Sequence, residues 1–423
     1  MALEQQIHQI GRNARDAARA LAGLQTERRN AILRAMAGEL LARAPQLLDA
    51  NAKDVSLAAE HGLNTAAIDR LRLTESRIAG MAEGIRQVAE LEDPVGRSIS
   101  EWTRPNGLRI AKVRMPIGVI GIIYESRPNV TSDAAVLCIK TGNAVILRGG
   151  SESLNSNLAI AKALQAGGAA EGLPENAVQL IPTKDREAVV LMAGMSQYID
   201  LIIPRGGTSL IETVVKHARM PVIKHYHGVC HVYVDDEAEL EMAERIAINA
   251  KCQRPAVCNA METLLLHRGV SEAFLRKAAP AFQARGVEIR ADERAYSQLG
   301  ALGYHPLRRA EEQDWYTEYQ DTIMSVRIVD DLAQAIAHME HYGSHHSDAI
   351  VTANPQTAER FLNEVDSATV YWNASTRFTD GGEFGFGAEI GISTDKLHAR
   401  GPMGLEELTT YKYVIRGEGQ IRE

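Results

Sequence analysis

One cysteine of the chain is a candidate for a reactive thiol. Cys258 belongs to the segment Lys251–Thr263, KCQRPAVCNAMET, which follows a helical pattern and precedes an apolar run. The neighbouring cations Lys251 and Arg254 favour the thiolate, which is the nucleophilic form of cysteine. The alternative is a buried and unreactive thiol, the usual state of a cysteine in a reducing compartment. Cys138 and Cys252 fall inside helical patterns, so we expect them to have packing roles.

Two groups of histidines have spacings that raise the question of a metal site. The first is His225-x-His227-x-x-Cys230-His231, a spacing typical of metal ligands. It also fits a loop followed by a strand, whose alternating side chains face opposite sides. The second group comprises His338, His341, His345 and His346. No further Cys/His pair at zinc-finger spacing follows the first group, so we favour packing or surface roles and predict no metal ligand.

A glycine-rich segment near the C-terminus has a superficial likeness to a dinucleotide-binding fingerprint. In Gly385–Gly391, GFGAEIG, the third glycine is one position late and no strand-to-helix context surrounds it. We expect instead a substrate-facing loop that allows close backbone approach.

Composition limits the class of protein. The 423 residues carry 46 basic and 54 acidic side chains, a net charge of −8, with 45% hydrophobic residues. This predicts an ordered chain of two or three domains, and the lack of a dense cationic tract argues against nucleic-acid binding. Met1–Gln9 lacks the apolar run of a signal peptide, and Pro116–Tyr124 is too short to span a membrane, which takes about 20 residues. With four cysteines in this length, we expect a cytoplasmic, soluble enzyme acting on small molecules.

The elements that position these residues follow from the hydrophobic pattern. Apolar residues at helical spacing predict helices over 31–44 and 78–91. Asn106-Gly107 between two extended runs predicts a hairpin over 98–115 whose two turn positions both take positive φ. From Gly118 onward, short apolar runs alternate with helical segments, which predicts α/β architecture with parallel sheets. The predicted strands of the first block are GVIGIIY, AVILRGG, AVQLIP, IDLIIPRGG and PVIKHY, and those of the second are 231–234, 262–267, 287–290, 324–329 and 348–352.

Loops at strand ends are the expected binding positions. In open parallel sheets, ligands gather where the carboxyl end of a strand leads into a helix N-terminus. Ser151 is predicted to cap the helix after AVIL, and Gly207-Thr208-Ser209 to open the helix after LIIPR. A final strand is predicted over 411–416.

Several ordered segments together resemble one family. The chain is similar to the γ-glutamyl phosphate reductases, also called glutamate-5-semialdehyde dehydrogenases, of the aldehyde dehydrogenase superfamily. The resemblance covers nearly the whole chain, and it is carried by PIGVIGIIYESRPNVTSDAAVLCIKTGNAVILRGGSES, EGLPENAVQLI, KCQRPAVCNAMETLL, AHMEHYGSHHSDAIVT and GGEFGFGAEIGISTDKLHARGPMGLEELTTYKYV.

The resemblance implies a fold and a division of the chain. It implies two parallel-sheet α/β domains and a small β element for oligomerisation. The NADP-binding domain would be residues 1–228, interrupted by the hairpin 98–115, and the catalytic domain 229–366. The oligomerisation element would comprise 98–115 and 405–423, with 367–404 as a loop-rich return.

The resemblance also implies roles for individual residues. Cys258 takes the position of the catalytic nucleophile, and a donor to the oxyanion falls at Asn129 or Arg127. The cofactor would be held at Arg148 and Ser151, at the turn Arg205-Gly206-Gly207-Thr208-Ser209, and at Glu318 for a ribose. Arg127, Arg254 and Arg377 are candidates for binding the acyl phosphate and the carboxylate of the substrate.

The implied reaction is the NADPH-dependent reduction of L-glutamyl 5-phosphate to glutamate 5-semialdehyde and phosphate through a cysteine thioester, in proline biosynthesis. Hydrolytic relatives carry a Glu ahead of two glycines, whereas Pro221–Val229 has no carboxylate, which suits resolution by phosphate. Arg148 and Arg205, without an evident acidic residue at those strand ends, favour NADP over NAD. The expected partners are the small-molecule substrate, further copies of the chain, and glutamate 5-kinase, which supplies the labile acyl phosphate.

Two alternatives remain open at this point. One is another phosphate-dependent aldehyde or acyl-phosphate dehydrogenase of the same superfamily. The other is a non-catalytic, metal-binding protein on the same fold.

Overall fold

The computed structural model describes residues 2–125, 127–224 and 226–422. The chain divides into two compact units. The first unit comprises Met1–Lys224, Gly385–Gly391 and Met403–Glu423, and the second comprises His225–Phe384 and Ile392–Pro402. Of the helices in the described residues, none is long and apolar enough to cross a membrane.

The first unit opens with a layer of helices. In the last of these helices, Glu75–Glu90, apolar side chains recur at helical spacing and are buried; they are Ile78, Met81, Ile85 and Val88. The helix predicted over 31–44 is confirmed, with bounds of 26–42. A new helix begins at Ala44 and has Pro45 in its first turn, where the missing N–H costs nothing. The helices are α1 (Leu3–Leu21), α2 (Thr26–Ala42), α3 (Ala44–Glu60), α4 (Thr65–Leu71) and α5 (Glu75–Glu90).

The predicted hairpin is confirmed, but its turn differs from the prediction. Strands β1 (Ser98–Thr103) and β2 (Arg109–Pro116) pair antiparallel. Of the two central residues, only Gly107 has a positive φ, of 87°. The N–H of Gly107 donates to the carbonyl of Arg104 (2.9 Å). Pro105 therefore occupies the second position of a β-turn, where its fixed negative φ is favoured, and Gly107 occupies the fourth.

A four-stranded parallel sheet forms the centre of the first unit. Its strands are almost entirely buried and run in the order β5-β4-β3-β6, as parallel α/β architecture predicts. The segment PVIKHY is not a strand: Val222 makes an isolated bridge to Ile202, and Pro221 has no N–H with which to extend a ladder. The elements are β3 (Val119–Tyr124), α6 (Asn129–Lys140), β4 (Ala144–Arg148), α7 (Leu154–Ala170), β5 (Val178–Leu180), α8 (Glu187–Gly194), β6 (Leu201–Arg205) and α9 (Thr208–His217).

The second unit contains a seven-stranded parallel sheet in the order β10-β9-β11-β8-β7-β12-β13. Side chains of alternate residues enter separate apolar clusters: Leu264 and Leu266 of β8 belong to one, and Leu265 belongs to the other. The five strands predicted for this block are confirmed to within one residue at each end. The elements are β7 (Cys230–Val234), α10 (Leu240–Cys252), β8 (Met261–His267), α11 (Ser271–Ala284), β9 (Glu288–Ala291), α12 (Glu293–Ala301), β10 (Leu307–Arg309), β11 (Ile323–Val329), α13 (Leu332–Tyr342), β12 (Ser347–Val351), α14 (Pro355–Glu364) and β13 (Thr369–Trp372).

The C-terminal segment returns to the hairpin. Strands β14 (Gly391–Ser393) and β15 (Gly401–Met403) pair with each other, and β16 (Thr409–Arg416) pairs antiparallel with β2. The resulting three-stranded sheet has the order β1-β2-β16. Most of β16 is exposed, including the large side chains of Tyr411, Tyr413 and Ile415, which lie on one face.

Candidate active site

Cys258 lies in the loop between α10 and β8, which we call the nucleophile loop (253–260). Its thiol is half-buried and not in a disulfide. Because the loop leads into β8, it lies at the amino edge of the seven-stranded sheet. The expectation that ligands gather at carboxyl ends therefore does not hold for this residue of the second unit.

The backbone of Cys258 is held by the segment that enters β7. Gly228 approaches so closely that a Cβ added to it would lie 1.8 Å from the carbonyl oxygen of Cys258. Cys230, the first residue of β7, donates its S–H to the same oxygen (3.2 Å). Burial raises the pKa of the Cys230 thiol well above its ordinary value, so Cys230 is a neutral donor. No residue pattern indicates this contact, because it depends on the close approach of two main-chain segments.

Two of the three arginines predicted to bind substrate lie close to the nucleophile loop. The guanidinium of Arg377 donates to the side-chain oxygen of Asn259, which follows Cys258, and to the side chain of Gln253 (2.9 Å). Burial and the nearby charge of Arg254 lower the pKa of Arg377. Arg254 itself is exposed. The second unit therefore brings a thiol and two cations together.

Lys251 does not supply the positive charge that the sequence placed beside the thiol. Its side chain is fully buried, and its ammonium group donates to the carboxylate of Glu262 (2.6 Å), which is also fully buried. Burial raises the pKa of Glu262, and the bond to the Lys251 ammonium group opposes that rise. The cations near the thiol are therefore Arg377, whose charge interacts with Cys258, and Arg254, whose charge interacts with Arg377.

Glu318, the predicted ribose ligand, lies in the loop before β11 and is partly exposed. Its carboxylate accepts a bond from the side-chain amide of Gln320 (3.1 Å). Gln320 has a positive φ of 53°, and its backbone N–H faces Glu262 at 3.4 Å. The Glu318 loop and the nucleophile loop are therefore connected through Glu262.

In the first unit, the predicted phosphate turn contains an anion site at a helix N-terminus. Gly207 is the N-cap of α9, as predicted, and its N–H donates to the carboxylate of Glu125 (2.9 Å). A Cβ at Gly206 would lie 2.6 Å from that carboxyl carbon. The turn Gly206-Gly207-Thr208 therefore binds a negatively charged oxygen closely, as a phosphate requires. Glu125 was not among the predicted residues.

A cleft of about 310 Å³ lies beside the end of β4. Ser151, Glu152 and Lys184 contribute to its lining. Ser151 is not the predicted cap of an α-helix, since its hydroxyl donates to the carboxylate of Glu152 (3.2 Å) and α7 begins three residues later. An acidic residue is therefore present at this strand end, contrary to the expectation from sequence.

Arg148 has a different environment from the one expected. It is only 7% exposed, and its guanidinium donates to the carbonyl of Gly149 (2.9 Å) and, at longer range, to the carbonyls of Lys184 and Asp185. These bonds connect the loop after β4 to the loop after β5. Lys184 was missed by the sequence reasoning, although it too follows a strand.

Asn129 and Arg127 lie at the carboxyl end of β3. Both are exposed, and Asn129 is the first residue of α6. The side-chain amide of Asn129 donates to Asp133 (2.8 Å). Burial raises the pKa of Asp133, and the nearby charge of Arg205 reduces that rise. The guanidinium of Arg205 lies against Gly391, where a Cβ would be 2.3 Å from Nη1. The predicted cofactor and oxyanion residues of the first unit thus share one sheet edge.

The histidine groups do not converge on a metal site in the described residues. Among the residues that the structure describes, no group of three or more His, Cys, Asp or Glu side chains is arranged to hold a metal ion. His225 lies outside the described residues. His227 is exposed, whereas His231 is buried and bonded to Asp348 (2.7 Å). His338 is buried beside Trp315, and its Nδ1 accepts a bond from Arg327 (2.9 Å).

Comparison with known proteins gives the family. Residues 1–306 match the model of the aldehyde dehydrogenase family. The chain is 57% identical to the γ-glutamyl phosphate reductase of Moorella thermoacetica over 99% of both chains, and 52% identical to that of Geobacter metallireducens over the full length of both. The crystal structure of γ-glutamyl phosphate reductase from Thermotoga maritima matches with a TM-score of 0.96 at 44% identity, covering 99% of this chain and 100% of that one.

More distant structures share the fold alone. An acetylating aldehyde dehydrogenase from Geobacillus thermoglucosidasius matches over 100% of this chain and 98% of its own, with a TM-score of 0.69 at 15% identity. The fold class predicted from the sequence is therefore confirmed. The chain belongs to the aldehyde dehydrogenase family of oxidoreductases, and within it to the γ-glutamyl phosphate reductases.

Proposed function

We propose that this protein reduces L-glutamyl 5-phosphate to L-glutamate 5-semialdehyde and phosphate, with NADPH as the reductant and Cys258 as the nucleophile. The observation that carries the proposal is the half-buried Cys258 thiol on a fixed loop beside Arg254 and Arg377. The names of the full-length relatives support the substrate, and with it a place in proline biosynthesis.

The thiolate of Cys258 attacks the acyl carbon of the substrate and forms a thioester, and the C–O bond to phosphate breaks. Phosphate departs as a stable anion, so no general acid is needed at this step. Arg254 stabilises the thiolate beforehand and the departing phosphate afterwards, because both carry negative charge. Arg377, anchored to Gln253 and Asn259, presents a fixed positive charge to the anionic substrate.

Hydride addition then converts the thioester to a thiohemiacetal anion. The backbone N–H of Cys258 stabilises that oxyanion, and a second donor from Asn129 or Arg127 is proposed on the resemblance alone. Collapse of the thiohemiacetal breaks the C–S bond, releases the aldehyde and regenerates the thiolate. Since Pro221–Val229 contains no carboxylate to activate water, phosphate is the species that resolves the thioester in the reverse direction.

The residues of the first unit fit a nicotinamide dinucleotide. The N–H of Gly207 already binds a carboxylate oxygen, and Gly206 leaves no room there for a side chain, so the turn suits a pyrophosphate. When bound, NADPH supplies the hydride. Glu318, at the loop before β11, is proposed to bind the ribose hydroxyls.

We assign the preference for NADP to the cleft beside β4. Lys184 is exposed there with Ser151, and a lysine and a hydroxyl together suit a 2′-phosphate. Arg148 acts indirectly, because its guanidinium is bonded to the carbonyls that shape the cleft. Glu152 limits this preference, since its carboxylate repels the same phosphate unless Lys184 compensates it.

The exposed face of the three-stranded sheet is proposed to bind a second copy of the chain. Trp102 and Tyr413 stack edge to face there (6.2 Å), and Ile415 is 58% exposed. Strand β1 is an edge strand exposed along its whole length, so its backbone offers unpaired groups to another strand. Association with glutamate 5-kinase remains a proposal that rests on the lability of the acyl phosphate.

The assay that tests the function follows NADP reduction with glutamate 5-semialdehyde in the presence and absence of phosphate. We expect turnover to require phosphate and to be faster with NADP than with NAD. Simple aldehydes serve as the control for substrate. Turnover without phosphate would contradict the acyl-phosphate chemistry, and equal rates with simple aldehydes would favour a different dehydrogenase of the family.

A further inference from the structure

A buried ion pair joins the two ends of the nucleophile loop. Lys251 is the penultimate residue of α10, and Glu262 is the second residue of β8, so the loop that carries Cys258 runs between them. Both side chains are fully buried, and their charged atoms are 2.6 Å apart. The bond therefore fixes the separation of the two points from which the loop emerges.

The ion pair also contacts a second loop, that of Glu318, through the other carboxylate oxygen of Glu262. That oxygen faces the backbone N–H of Gln320 at 3.4 Å, and Gln320 in turn holds the carboxylate of Glu318. The ring of Tyr319 lies 5.9 Å from the Lys251 ammonium group. One buried carboxylate thus contacts Lys251, two residues before the nucleophile loop, and the loop of the proposed ribose ligand.

Stability alone is a poor reason for such a pair. Removing two charges from water is costly, and replacing a buried ion pair with apolar side chains of similar size is often neutral or stabilising. An ion pair differs from an apolar contact because its hydrogen bonds are directional, so each charged group fixes the position of the other.

We infer that Lys251 and Glu262 are positioning residues that hold the nucleophile loop and the loop of Glu318 in the relative positions that catalysis requires. The inference rests on the proposed function, since it takes Cys258 as the nucleophile and Glu318 as a ribose ligand. Neither Lys251 nor Glu262 touches the reacting atoms in this account. Their effect on the rate comes through the placement of the two loops.

The decisive variant is Lys251→Met/Glu262→Met, which keeps side-chain volume and removes both charges. We expect it to unfold at a temperature equal to or above that of Glu262→Gln, which leaves the buried lysine without a carboxylate. Both variants should nevertheless lose about tenfold in kcat, because a shift of about 1 Å in a reacting group can cost even more. Both should also raise the KM for NADP, and the rate of Cys258 alkylation by iodoacetamide should change.

The matched control is Asp93→Asn, which breaks the buried Arg29–Asp93 ion pair in the first unit. It should lower the unfolding temperature while leaving kcat and Cys258 alkylation within about twofold of wild type. A double-methionine variant with wild-type kcat, KM and alkylation rate would overturn the inference, as would equal catalytic losses in Asp93→Asn. Cys258→Ala is measured in parallel: turnover in that variant would refute the proposed nucleophile, whereas its inactivity beside a fully active double variant would refute the positioning role alone.

Discussion

Substitution of Gly228 by alanine tests whether the backbone contact with Cys258 sets the catalytic geometry. The added Cβ would lie 1.8 Å from the carbonyl oxygen of Cys258, 2.5 Å from its carbonyl carbon and 2.7 Å from its Cα. Cβ contacts under 3.0 Å essentially do not occur. The backbone segments of Gly228 and Cys258 must therefore move apart by about 1.2 Å, the difference between 3.0 Å and 1.8 Å. The neighbouring atoms are all backbone, so no side chain can rotate away to relieve the contact.

A displacement of that size predicts a large kinetic effect. Moving a reacting group by about 1 Å costs roughly a hundredfold in rate, or about 2.7 kcal/mol of transition-state stabilisation. The separation also weakens the bond from the Cys230 thiol to the Cys258 carbonyl. We therefore expect the kcat of Gly228→Ala for phosphate-dependent oxidation of glutamate 5-semialdehyde to fall about a hundredfold.

The matched control is Gly300→Ala, because Gly300 lies in helix α12 with no heavy atom within 4 Å of an added Cβ. That variant should keep wild-type kcat and gain a few tenths of a kcal/mol in stability, since alanine favours a helix. Circular dichroism and thermal unfolding of both variants separate a local shift from misfolding. A folded Gly228→Ala variant with kcat within about threefold of wild type would refute the reasoning.

Three further predictions concern other parts of the chain. Burial and the nearby positive charge of Arg327 lower the pKa of His338 from 6.5 to about 2, so the unfolded chain takes up a proton below pH 6.5 while the native state does not. Stability is therefore lost as pH falls from 6.5. Between about pH 7.5 and pH 5, the loss of unfolding free energy should be about 2 kcal/mol smaller in His338→Gln than in wild type, and an equal loss in both would contradict this. Lys184→Met should raise the KM for NADPH about tenfold and leave that for NADH unchanged, and equal effects on both would contradict the 2′-phosphate assignment. Tyr413→Glu/Ile415→Glu should shift the protein to smaller species in light scattering, and an unchanged mass would reject the sheet face as the interface.

The sequence predicted the strands well where burial on both faces produces continuous apolar runs. Four of the five confirmed strands of the second unit, β7, β8, β11 and β12, are buried along most of their length. The fifth, β9, alternates between partly buried and buried residues. β10 and β13 were missed because they are the two edge strands of the sheet, only partly buried, and β10 reads Leu-Arg-Arg. The hairpin was found from Asn106-Gly107, but the turn type was set by the preceding Pro105, which the pattern did not include.

The site was predictable in part. The choice of Cys258 as the nucleophile is a prediction from the resemblance, and the structure places Arg377 near Cys258 and Arg254. The position of Lys251 in the sequence suggested a positive charge beside the thiol, but its ammonium group is paired with Glu262. Gly228 carries no side chain from which a role could be read, and its importance depends on how closely two main chains approach. Such contacts are set by packing between elements distant in sequence.

The central claim is that Cys258 carries the acyl group. The most direct measurement is mass spectrometry of the protein after an acid quench of the oxidation step alone, with glutamate 5-semialdehyde and NADP but no phosphate to release the thioester. We expect one glutamyl group per chain, located by peptide mapping on Cys258, and none in Cys258→Ala. A glutamyl group on another residue, or NADP reduction by Cys258→Ala, would contradict it.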